Sequence, residues 1–279
     1  MSSPTWHSEN GYPEYPEIKG VAWLRVGVRG FFVFSLLIVG LLVLLLVRLI
    51  ERPIFGVKRP WSPRITQFVC RNVLRFMGIG FQTQGRPMRL PGALVANHAS
   101  WLDIFVLNAK DQPYFVSKAE VANWPGIGTL AKATGTVFIA RDRKEAKAQQ
   151  QVFEDRLSAG HKLLFFPEGT STDSLRVLDF KSTLFAAFFT ENLKPISHVQ
   201  AVSVNYHAPE HVDQRFYAWW GGMDFGPHML QMLAQPRHGR VDVVYHEPVA
   251  VADFKNRKDL AEYLGRHVKS GHYLAKTEV

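Results

Sequence analysis

The longest apolar stretch of the chain runs from Gly30 to Val47 and contains no charged residue. Its length falls at the short end of the roughly 17–25 residues that an apolar helix needs to cross a bilayer. More basic residues follow the stretch than precede it: Lys19, Arg25 and Arg29 come before it, and Arg48, Arg52, Lys58, Arg59 and Arg64 come after it. This excess predicts a helix in the cytoplasmic (inner) membrane, with the following domain on the cytoplasmic side. The alternative is a buried core helix.

A second helical pattern covers Trp61 to Met77 and separates basic from apolar positions. On a helical wheel, one stripe is basic and contains Arg64, Arg71 and Arg75. The neighbouring flank is apolar and contains Trp61, Ile65, Val69 and Phe76. An amphipathic helix of this kind can lie in the headgroup layer of an anionic membrane surface. It can equally pack on the domain as an ordinary surface helix, and the two roles are compatible.

Short apolar runs alternate with helical patterns from about Phe81 onward. The predicted strands are Ala93–Ala96, Tyr114–Val116, Thr136–Ile139, Lys162–Phe166, Val199–Asn205 and Arg240–Tyr245. The predicted helices are Ser100–Asn108, Gly126–Ala133, Lys144–Ala159, Leu184–Asn192, His228–Ala234 and Lys258–Lys269. This alternation is typical of an α/β fold, so we expect a mostly parallel central sheet flanked by helices. The domains predicted are a flexible N-terminal tail (1–18), membrane-anchoring helices (19–78), the α/β domain (79–271) and a C-terminal tail (272–279).

Composition and charge narrow the classes of partner and cofactor. The net charge of +9 and the isoelectric point near 9.7 favour anionic partners. Nucleic acid is disfavoured, because the chain has no zinc-finger spacing and no basic region followed by heptads. The single cysteine, Cys70, excludes an intrachain disulfide and a cysteine-based zinc site. The histidines are scattered without paired ligand spacing, so we expect no metal.

The first candidate for chemistry is a histidine followed by an aspartate five residues later. The segment ALVANHASWLD places an apolar strand directly before Asn97 and His98, with Asp103 farther on. Two residues five apart on a regular helix point in different directions and cannot hydrogen-bond directly. If His98 lies on the turn and Asp103 lies in the helix, the carboxylate can orient the imidazole as a general base. The alternative is a surface histidine near a helix start.

A second candidate is the turn after the strand that begins at Leu163, which reads PEGTST. Glycine lets the backbone approach a ligand closely, and successive N–H groups can hold an anion. Positive charge at other strand ends, from Lys118, Arg141 and Lys181, would suit a phosphate or a carboxylate of the substrate. The alternative for the turn alone is a simple capped strand end. The alternative for each cation alone is an ordinary surface charge.

Together these segments resemble the glycerolipid acyltransferases related to bacterial 1-acylglycerol-3-phosphate acyltransferase. NHASWLD resembles the first block of that family (N-H-x4-D), GTVFIAR resembles the second (G-x-x-F-I-x-R), and FPEGTST resembles the third (F-P-E-G-T-R-S). The resemblance covers roughly residues 60–250. It implies an acyltransferase that needs no cofactor and takes acyl-acyl carrier protein or acyl-CoA as co-substrate.

The resemblance also implies roles for individual residues. His98 would deprotonate the acceptor hydroxyl while Asp103 orients it. No acyl-enzyme is needed, so the lone cysteine is no obstacle. The acceptor would be a membrane lipid, and the acyl carrier protein would be a further partner. The residues expected to bind substrate are Asn97, Lys118, Arg141, Glu168, Gly169, Thr170, Ser171 and Lys181.

Two departures from the family pattern bear on the acceptor. Ser171 stands where the third block usually has arginine, and Ala201 stands where the fourth block usually has proline. The missing arginine weakens the case for a phosphomonoester acceptor. The segments EGTSTDSLRVLDFKSTLF and WWGGMDFGPHML more closely resemble the subgroup that acylates lyso-ornithine and similar lyso-aminolipids. We therefore predict a lyso-aminolipid acceptor, with lysophosphatidic acid as the alternative.

Other roles are compatible with parts of the pattern. The rings of Trp219, Trp220 and Phe225 either line a lipid entrance or pack a loop onto the core. A serine hydrolase is disfavoured, because the chain has no G-x-S-x-G segment. A lipid carrier without catalytic activity would share the membrane helix and the basic surface, but it would not require the pairing of His98 with Asp103.

Overall fold

The computed structural model describes residues 5–139 and 146–273 of the chain. In these residues the helices are α1 (Val21–Phe55), α2 (Ser62–Met77), α3 (Asp103–Lys110), α4 (Ile127–Thr134), α5 (Ala146–Ser158), α6 (Phe225–Ala234) and α7 (Arg257–Ser270). The strands are β1 (Gly80–Gln84), β2 (Gly92–Ala96), β3 (Tyr114–Lys118), β4 (Val137–Ile139), β5 (Lys162–Phe165), β6 (His198–His207), β7 (Arg240–Tyr245) and β8 (Val249–Ala250). Short 3-10 helices cover Ala119–Asn123, Ser182–Phe189 and Val251–Asp253.

The strands form one sheet in the order β1-β7-β6-β2-β5-β3-β4, with β8 also paired to β6. All neighbouring pairs are parallel except β6 with β7 and β6 with β8. Apolar clusters cover both faces of this sheet, as expected where helices pack on both sides of parallel strands. The predicted α/β fold with a mostly parallel sheet is confirmed.

Several elements differ from the sequence prediction. β1, which reads GFQTQ, was not predicted because this edge strand contains no buried residue and therefore lacks an apolar run. The two-residue β8 is too short to leave a pattern. The α-helix predicted over Leu184–Asn192 is instead a 3-10 helix over Ser182–Phe189. α3 begins at Asp103 rather than at Ser100, because the preceding residues form the turn that carries His98.

The helix α1 is 35 residues long, with a mean hydropathy of 3.0 over its most apolar 18-residue window. Only 17% of that window is buried, so the alternative of a buried core helix is wrong. A helix of this length and composition can cross a membrane. Its contact with α2 is close at Gly40, where an added Cβ would lie 2.4 Å from the Cγ2 of Val69.

Polar contacts attach one end of α1 to the α/β domain and the other end to the start of α2. The Arg25 Nε donates to the Ala234 carbonyl at 2.7 Å, at the end of α6. Near its other end, the buried Glu51 accepts hydrogen bonds from the backbone N–H groups of Trp61 and Ser62 at 2.7 and 3.1 Å. These contacts hold α1 against the side of the domain while its outer face stays exposed and apolar.

The amphipathic helix α2 packs on the domain through one face and exposes the other. Val69, Val73 and Leu74 belong to the core, whereas the three arginines of the basic stripe are exposed together with Phe68 and Phe76. The expected packing on the domain is therefore present. The exposed mixture of arginines and aromatic rings is what the predicted contact with a headgroup layer requires.

Residues 5–18 contain no helix or strand, but they contact the domain at several points. The Trp6 backbone N–H lies 3.3 Å from the Thr170 Oγ1, and the Tyr12 hydroxyl accepts from the Gly222 N–H at 2.9 Å. Farther along, the Pro16 carbonyl accepts from the side-chain amide of Gln231 at 2.9 Å. This segment thus lies along the domain, and the flexibility expected of residues 1–18 stays a prediction.

Candidate active site

Three adjacent strands bring the predicted site residues together at one edge of the sheet. β2 lies between β5 and β6 and runs parallel to both. The carboxyl ends of these strands therefore meet at the same edge. His98 follows β2, Glu168 follows β5, and Tyr206 lies near the end of β6.

The predicted contact between His98 and Asp103 is present in the structure. The His98 Nδ1 lies 2.7 Å from the Asp103 Oδ2. The spacing of five residues allows this contact because His98 lies on the turn after β2 and Asp103 is the first residue of α3. The histidine side chain is 26% exposed, whereas that of Asp103 is fully buried. A proton held on Nδ1 by the carboxylate leaves Nε2, on the other side of the ring, able to accept a proton.

The Asp103 carboxylate accepts hydrogen bonds from several further donors. Its Oδ2 also accepts from the backbone N–H groups of Ala99 and Ser100, at 3.0 and 3.1 Å. Its Oδ1 accepts from the Tyr206 hydroxyl at 2.6 Å. These bonds compensate the burial of a charged group and fix the carboxylate against the histidine.

Sequence reasoning missed Tyr206, which contacts Asp103 from a strand more than a hundred positions later in the chain. The side chain is buried, and burial together with the neighbouring Asp103 charge raises the pKa of its hydroxyl well above the usual value. The hydroxyl therefore stays protonated and acts as a donor. The only signal in the sequence was a tyrosine near the end of a predicted strand.

Phe166 was also missed, and it fixes the plane of the histidine ring. The two rings are stacked, with centroids 4.1 Å apart and planes inclined by 13°. Phe166 directly follows β5, the strand next to β2, which explains why the two side chains meet. Stacking on one face and the carboxylate at Nδ1 together leave the imidazole little freedom to rotate.

Glu168 joins the loops that follow β2 and β5. Its Oε1 accepts from the His98 backbone N–H and its Oε2 accepts from the Leu178 N–H, both at 2.7 Å. Burial raises the pKa of this carboxyl to about 8, although the two N–H donors act in the opposite direction. Each oxygen thus accepts a backbone hydrogen bond and the side chain is 1% exposed, so Glu168 holds the two loops together, and its contact with substrate stays a prediction.

Asn97 is likewise occupied by the backbone. Its side-chain amide donates to the Val204 carbonyl at 2.9 Å and accepts from the Val204 N–H at 2.8 Å. The residue is buried, so these bonds join β2 to β6 beside the site. The substrate contact predicted for Asn97 stays a prediction.

The other predicted binding residues lie around the turn after β5. Gly169 adopts a φ of +73°, and a Cβ added there would lie 2.8 Å from the Lys181 Nζ. The exposed Lys181 ammonium is therefore placed directly over the glycine of this turn. Thr170 and Ser171 are half-buried at the same turn.

Two further cations, Lys118 and Arg141, were predicted to bind substrate. Lys118 is half-buried at the end of β3, on the far side of β5 from β2. Arg141, which was predicted to bind substrate beyond β4, lies outside the described residues.

Of the two roles predicted for the aromatic residues after β6, packing onto the core is observed for Trp220, and the lining of a lipid entrance stays a prediction. Trp220 is 1% exposed and packs against Trp6 and Tyr12, with centroid distances of 6.2 and 5.5 Å. It therefore packs its loop and the N-terminal segment onto the domain. Trp219 is only half-buried, and its backbone N–H donates to the Ala99 carbonyl at 2.8 Å, within the turn that carries His98.

Comparisons with known proteins support the family resemblance. The Acyltransferase family model matches residues 82–198. A lyso-ornithine lipid O-acyltransferase of Rhodobacter capsulatus is 52% identical, over 97% of this chain and 98% of that protein. A 1-acyl-sn-glycerol-3-phosphate acyltransferase of Neisseria meningitidis is 36% identical, over 49% of this chain and 53% of that protein.

A solved structure shows the same fold. The 1-acyl-sn-glycerophosphate (LPA) acyltransferase PlsC of Thermotoga maritima superposes with a TM-score of 0.64 at 18% identity, covering 92% of this chain and 96% of that chain. The apolar helix α1 and these relatives together indicate association with a membrane. The chain is thus an acyltransferase, and it belongs to the family that includes lyso-ornithine lipid O-acyltransferases and 1-acyl-sn-glycerol-3-phosphate acyltransferases.

Proposed function

We propose that the protein transfers a fatty acyl group to the hydroxyl of a lyso-aminolipid of the lyso-ornithine lipid type, in the biosynthesis of membrane lipids. The observation that carries this proposal is the 52% identity to a lyso-ornithine lipid O-acyltransferase over nearly the whole of both chains. Relatives of the same name from Rhizobium meliloti and Brucella abortus are 32% and 35% identical, over 89% and 76% of this chain. Ser171, in place of the arginine typical of the family, agrees with an acceptor that has no phosphomonoester.

His98 acts as the general base in this proposal. Asp103 holds the proton on Nδ1, so Nε2 accepts the proton of the acceptor hydroxyl as its oxygen attacks the thioester carbonyl carbon. A new C–O ester bond forms and the C–S bond breaks. The imidazolium then returns its proton to the departing thiolate. The buried Asp103 carboxylate stabilises the imidazolium during this cycle.

The acyl donor is a thioester of acyl carrier protein or of coenzyme A, and the transfer is direct. A covalent acyl-cysteine is not part of the reaction. Cys70 is buried in α2, and burial raises the pKa of its thiol to about 12. A thiol of this kind is not deprotonated at neutral pH and is a poor nucleophile.

Substrate binding is assigned to the turn after β5 and to three cations expected from the sequence. Lys181 lies over Gly169 and supplies positive charge to the acceptor headgroup or the donor phosphates, together with Lys118 and Arg141. Thr170 and Ser171 offer hydroxyl groups at the same turn. Asn97 and Glu168 contribute indirectly, by holding the turns on which the substrate-binding groups lie.

The protein works at the cytoplasmic face of the inner membrane in this proposal. The apolar outer face of α1 enters the lipid, and the exposed arginines of α2 contact anionic headgroups. A lysolipid acceptor then reaches the site from the membrane, while acyl carrier protein or acyl-CoA approaches from the cytoplasm.

Purified protein in detergent, offered two donors and two acceptors, tests this proposal. Labelled acyl-acyl carrier protein and acyl-CoA are each combined with lyso-ornithine lipid or with lysophosphatidic acid. We expect acylation of lyso-ornithine lipid at a kcat/KM at least about tenfold above that for lysophosphatidic acid, which corresponds to about 1.4 kcal/mol. Acylation of lysophosphatidic acid alone would keep the reaction and overturn the acceptor.

A further inference from the structure

An arginine that the family blocks do not include lies close to the candidate site. Arg176 follows the turn after β5, five positions beyond the Ser171 that replaces the usual arginine. Its side chain is 47% exposed. The chain therefore lacks a guanidinium at position 171 but carries one on the same loop.

Thr172 connects this arginine to the turn of His98. The Thr172 backbone N–H donates to the His98 carbonyl at 2.9 Å, and its Oγ1 donates to the Arg176 carbonyl at 3.2 Å. Thr172 itself is buried. A single buried residue thus separates the backbone of the proposed base from the backbone of the arginine.

The guanidinium of Arg176 is held in one orientation by a buried carboxylate. Its Nε and Nη2 donate to the two oxygens of Asp173, at 3.2 and 3.1 Å. Asp173 is fully buried and also accepts from the Leu175 N–H at 3.1 Å. This side-on arrangement leaves the end of the guanidinium formed by Nη1 and Nη2 for a second carboxylate or phosphate.

The N-terminal segment covers the same arginine. The Arg176 Cζ lies 5.1 Å from the centroid of the Trp6 ring, whose backbone N–H lies 3.3 Å from the Thr170 Oγ1. Stacking on an aromatic ring orients a guanidinium and shields one of its faces from water. Because Trp6 also packs on Trp220, the segment bridges the loops after β5 and β6, which flank the loop of His98.

A second arginine in the structure, Arg215, also pairs with a carboxylate but differs from Arg176 in its other contacts. Arg215 donates through Nε and Nη2 to Asp213, at 3.1 and 2.8 Å, and through Nη1 to the Gly11 carbonyl at 3.1 Å. Its side chain is 14% exposed. Arg215 therefore binds protein groups at all three nitrogens, whereas Arg176 is more exposed and its bonds to Asp173 use one edge only.

We propose that Arg176, oriented by Asp173 and covered by Trp6, binds the carboxylate of the amino-acid headgroup of the acceptor. The inference rests on the proposed lyso-aminolipid acceptor and names the residue that recognises it. In such a lipid the α-amino group is used in the amide bond, so the α-carboxylate stays free beside the chain that bears the reacting hydroxyl. A guanidinium recognises a planar carboxylate through parallel hydrogen bonds. Trp6 acts as a positioning residue in this arrangement.

An acceptor changed at one group provides the test. The wild-type protein, Arg176→Gln and the control Arg215→Gln are each given lyso-ornithine lipid with a free carboxylate or the same lipid with a primary amide there. The ratio of kcat/KM for acid over amide is measured. We expect Arg176→Gln to lower this ratio about tenfold or more, through KM for the acid, with kcat little changed. Arg215→Gln should keep the wild-type ratio, and Trp6→Ala should lower it by a smaller factor.

Loss of folding is separated from loss of recognition by a second variant. Arg176→Gln removes the cation that is hydrogen-bonded to the buried Asp173 carboxylate, so Asp173→Asn/Arg176→Gln is measured as well. A wild-type ratio in the double variant, or in the single variant if it folds, overturns the role of Arg176. If the wild-type protein acylates no lyso-ornithine lipid at all, the proposed function fails, and this inference fails with it. If the wild-type protein acylates lyso-ornithine lipid but the Arg176 variants keep its ratio, the inference about Arg176 is contradicted while the proposed function stands.

Discussion

At the scale of single residues, the site is organised around one buried carboxylate. Asp103 holds His98 at Nδ1 and is itself held by Tyr206 and by two backbone N–H groups. The contact of His98 with Asp103 could be predicted, because a turn followed by a helix start is a local feature of the sequence. Tyr206 and Phe166 could not, because their contacts depend on which strands lie beside β2.

Removal of the Tyr206 hydroxyl tests how far the carboxylate network supports catalysis. In Tyr206→Phe, Asp103 loses one donor while the ring stays in place, so the histidine is held less firmly. We expect kcat to fall about tenfold and the free energy of unfolding to fall by about 1–3 kcal/mol.

A neighbouring tyrosine provides the matched control for that variant. The Tyr217 ring lies 5.7 Å from the Tyr206 ring, and its hydroxyl accepts from the Gly239 N–H at 2.9 Å, away from Asp103. Tyr217→Phe should lower stability with kcat almost unchanged. Equal loss of kcat in both variants would show that the effect comes from packing rather than from Asp103.

At the scale of elements, the apolar and polar pattern was sufficient to identify α1, α2 and most strands of the sheet. The pattern did not predict a strand that has few buried positions, or a helix start that is set by side-chain hydrogen bonds. β1 has no buried residue, and the start of α3 is set by the bonds that Asp103 accepts from Ala99 and Ser100. The roles of Asn97 and Glu168 could not be predicted either, because Val204, the partner of Asn97, and His98, a partner of Glu168, are distant from them in the sequence.

The contact between α1 and α2 should depend on the absence of a side chain at position 40. A Cβ added to Gly40 would lie 2.4 Å from the Val69 Cγ2, and a β-branched side chain in a helix has little freedom to move away. We expect Gly40→Ala to lower the thermal unfolding temperature in detergent by several degrees, for a loss of about 1–3 kcal/mol.

A compensating substitution checks that this loss arises from the contact between positions 40 and 69. Val69→Ala removes the methyl group that clashes, so Gly40→Ala/Val69→Ala should unfold at a higher temperature than Gly40→Ala alone. If the two substitutions lower the temperature additively, the helices do not meet at these residues.

At the scale of the whole molecule, the sheet brings together loops from distant parts of the chain, and the N-terminal segment lies across them. The fold class and the edge of the sheet that carries the site followed from the alternation of strands and helices. The packing of Trp6 and Tyr12 against Trp220 did not follow, because a polar segment with prolines has no periodic pattern. Contacts of this kind depend on the completed domain.

Buried histidines should make the folded protein sensitive to acid. Burial lowers the pKa of four histidines to about 4, namely His161, His228, His238 and His272. These side chains are neutral in the folded protein but take up protons near pH 6.5 when it unfolds. The free energy of unfolding is therefore not reduced by these histidines above about pH 6.5, and it decreases as the pH falls from there towards 4. Denaturant unfolding at pH 7 and pH 5 measures this loss.

His161 offers a variant that isolates one of these groups. It stacks on Tyr114 at the end of β5 that lies away from His98, and the positive charges of Arg156 and Arg59 also disfavour its protonation. In His161→Phe, the loss of stability between pH 7 and pH 5 should be smaller than in the wild type by about 1–2 kcal/mol. An identical loss in both proteins would mean that His161 is not buried as a neutral ring.

The most direct test of the account is the turnover of His98→Ala beside its binding of the lysolipid. Because His98 is the proposed proton acceptor, the variant should acylate lyso-ornithine lipid about a thousandfold more slowly than the wild type. Binding of the lysolipid, measured with a labelled acceptor, should change by less than about threefold, since the predicted binding groups lie on other residues. Turnover within about tenfold of the wild-type rate would contradict the assignment of His98 as the base.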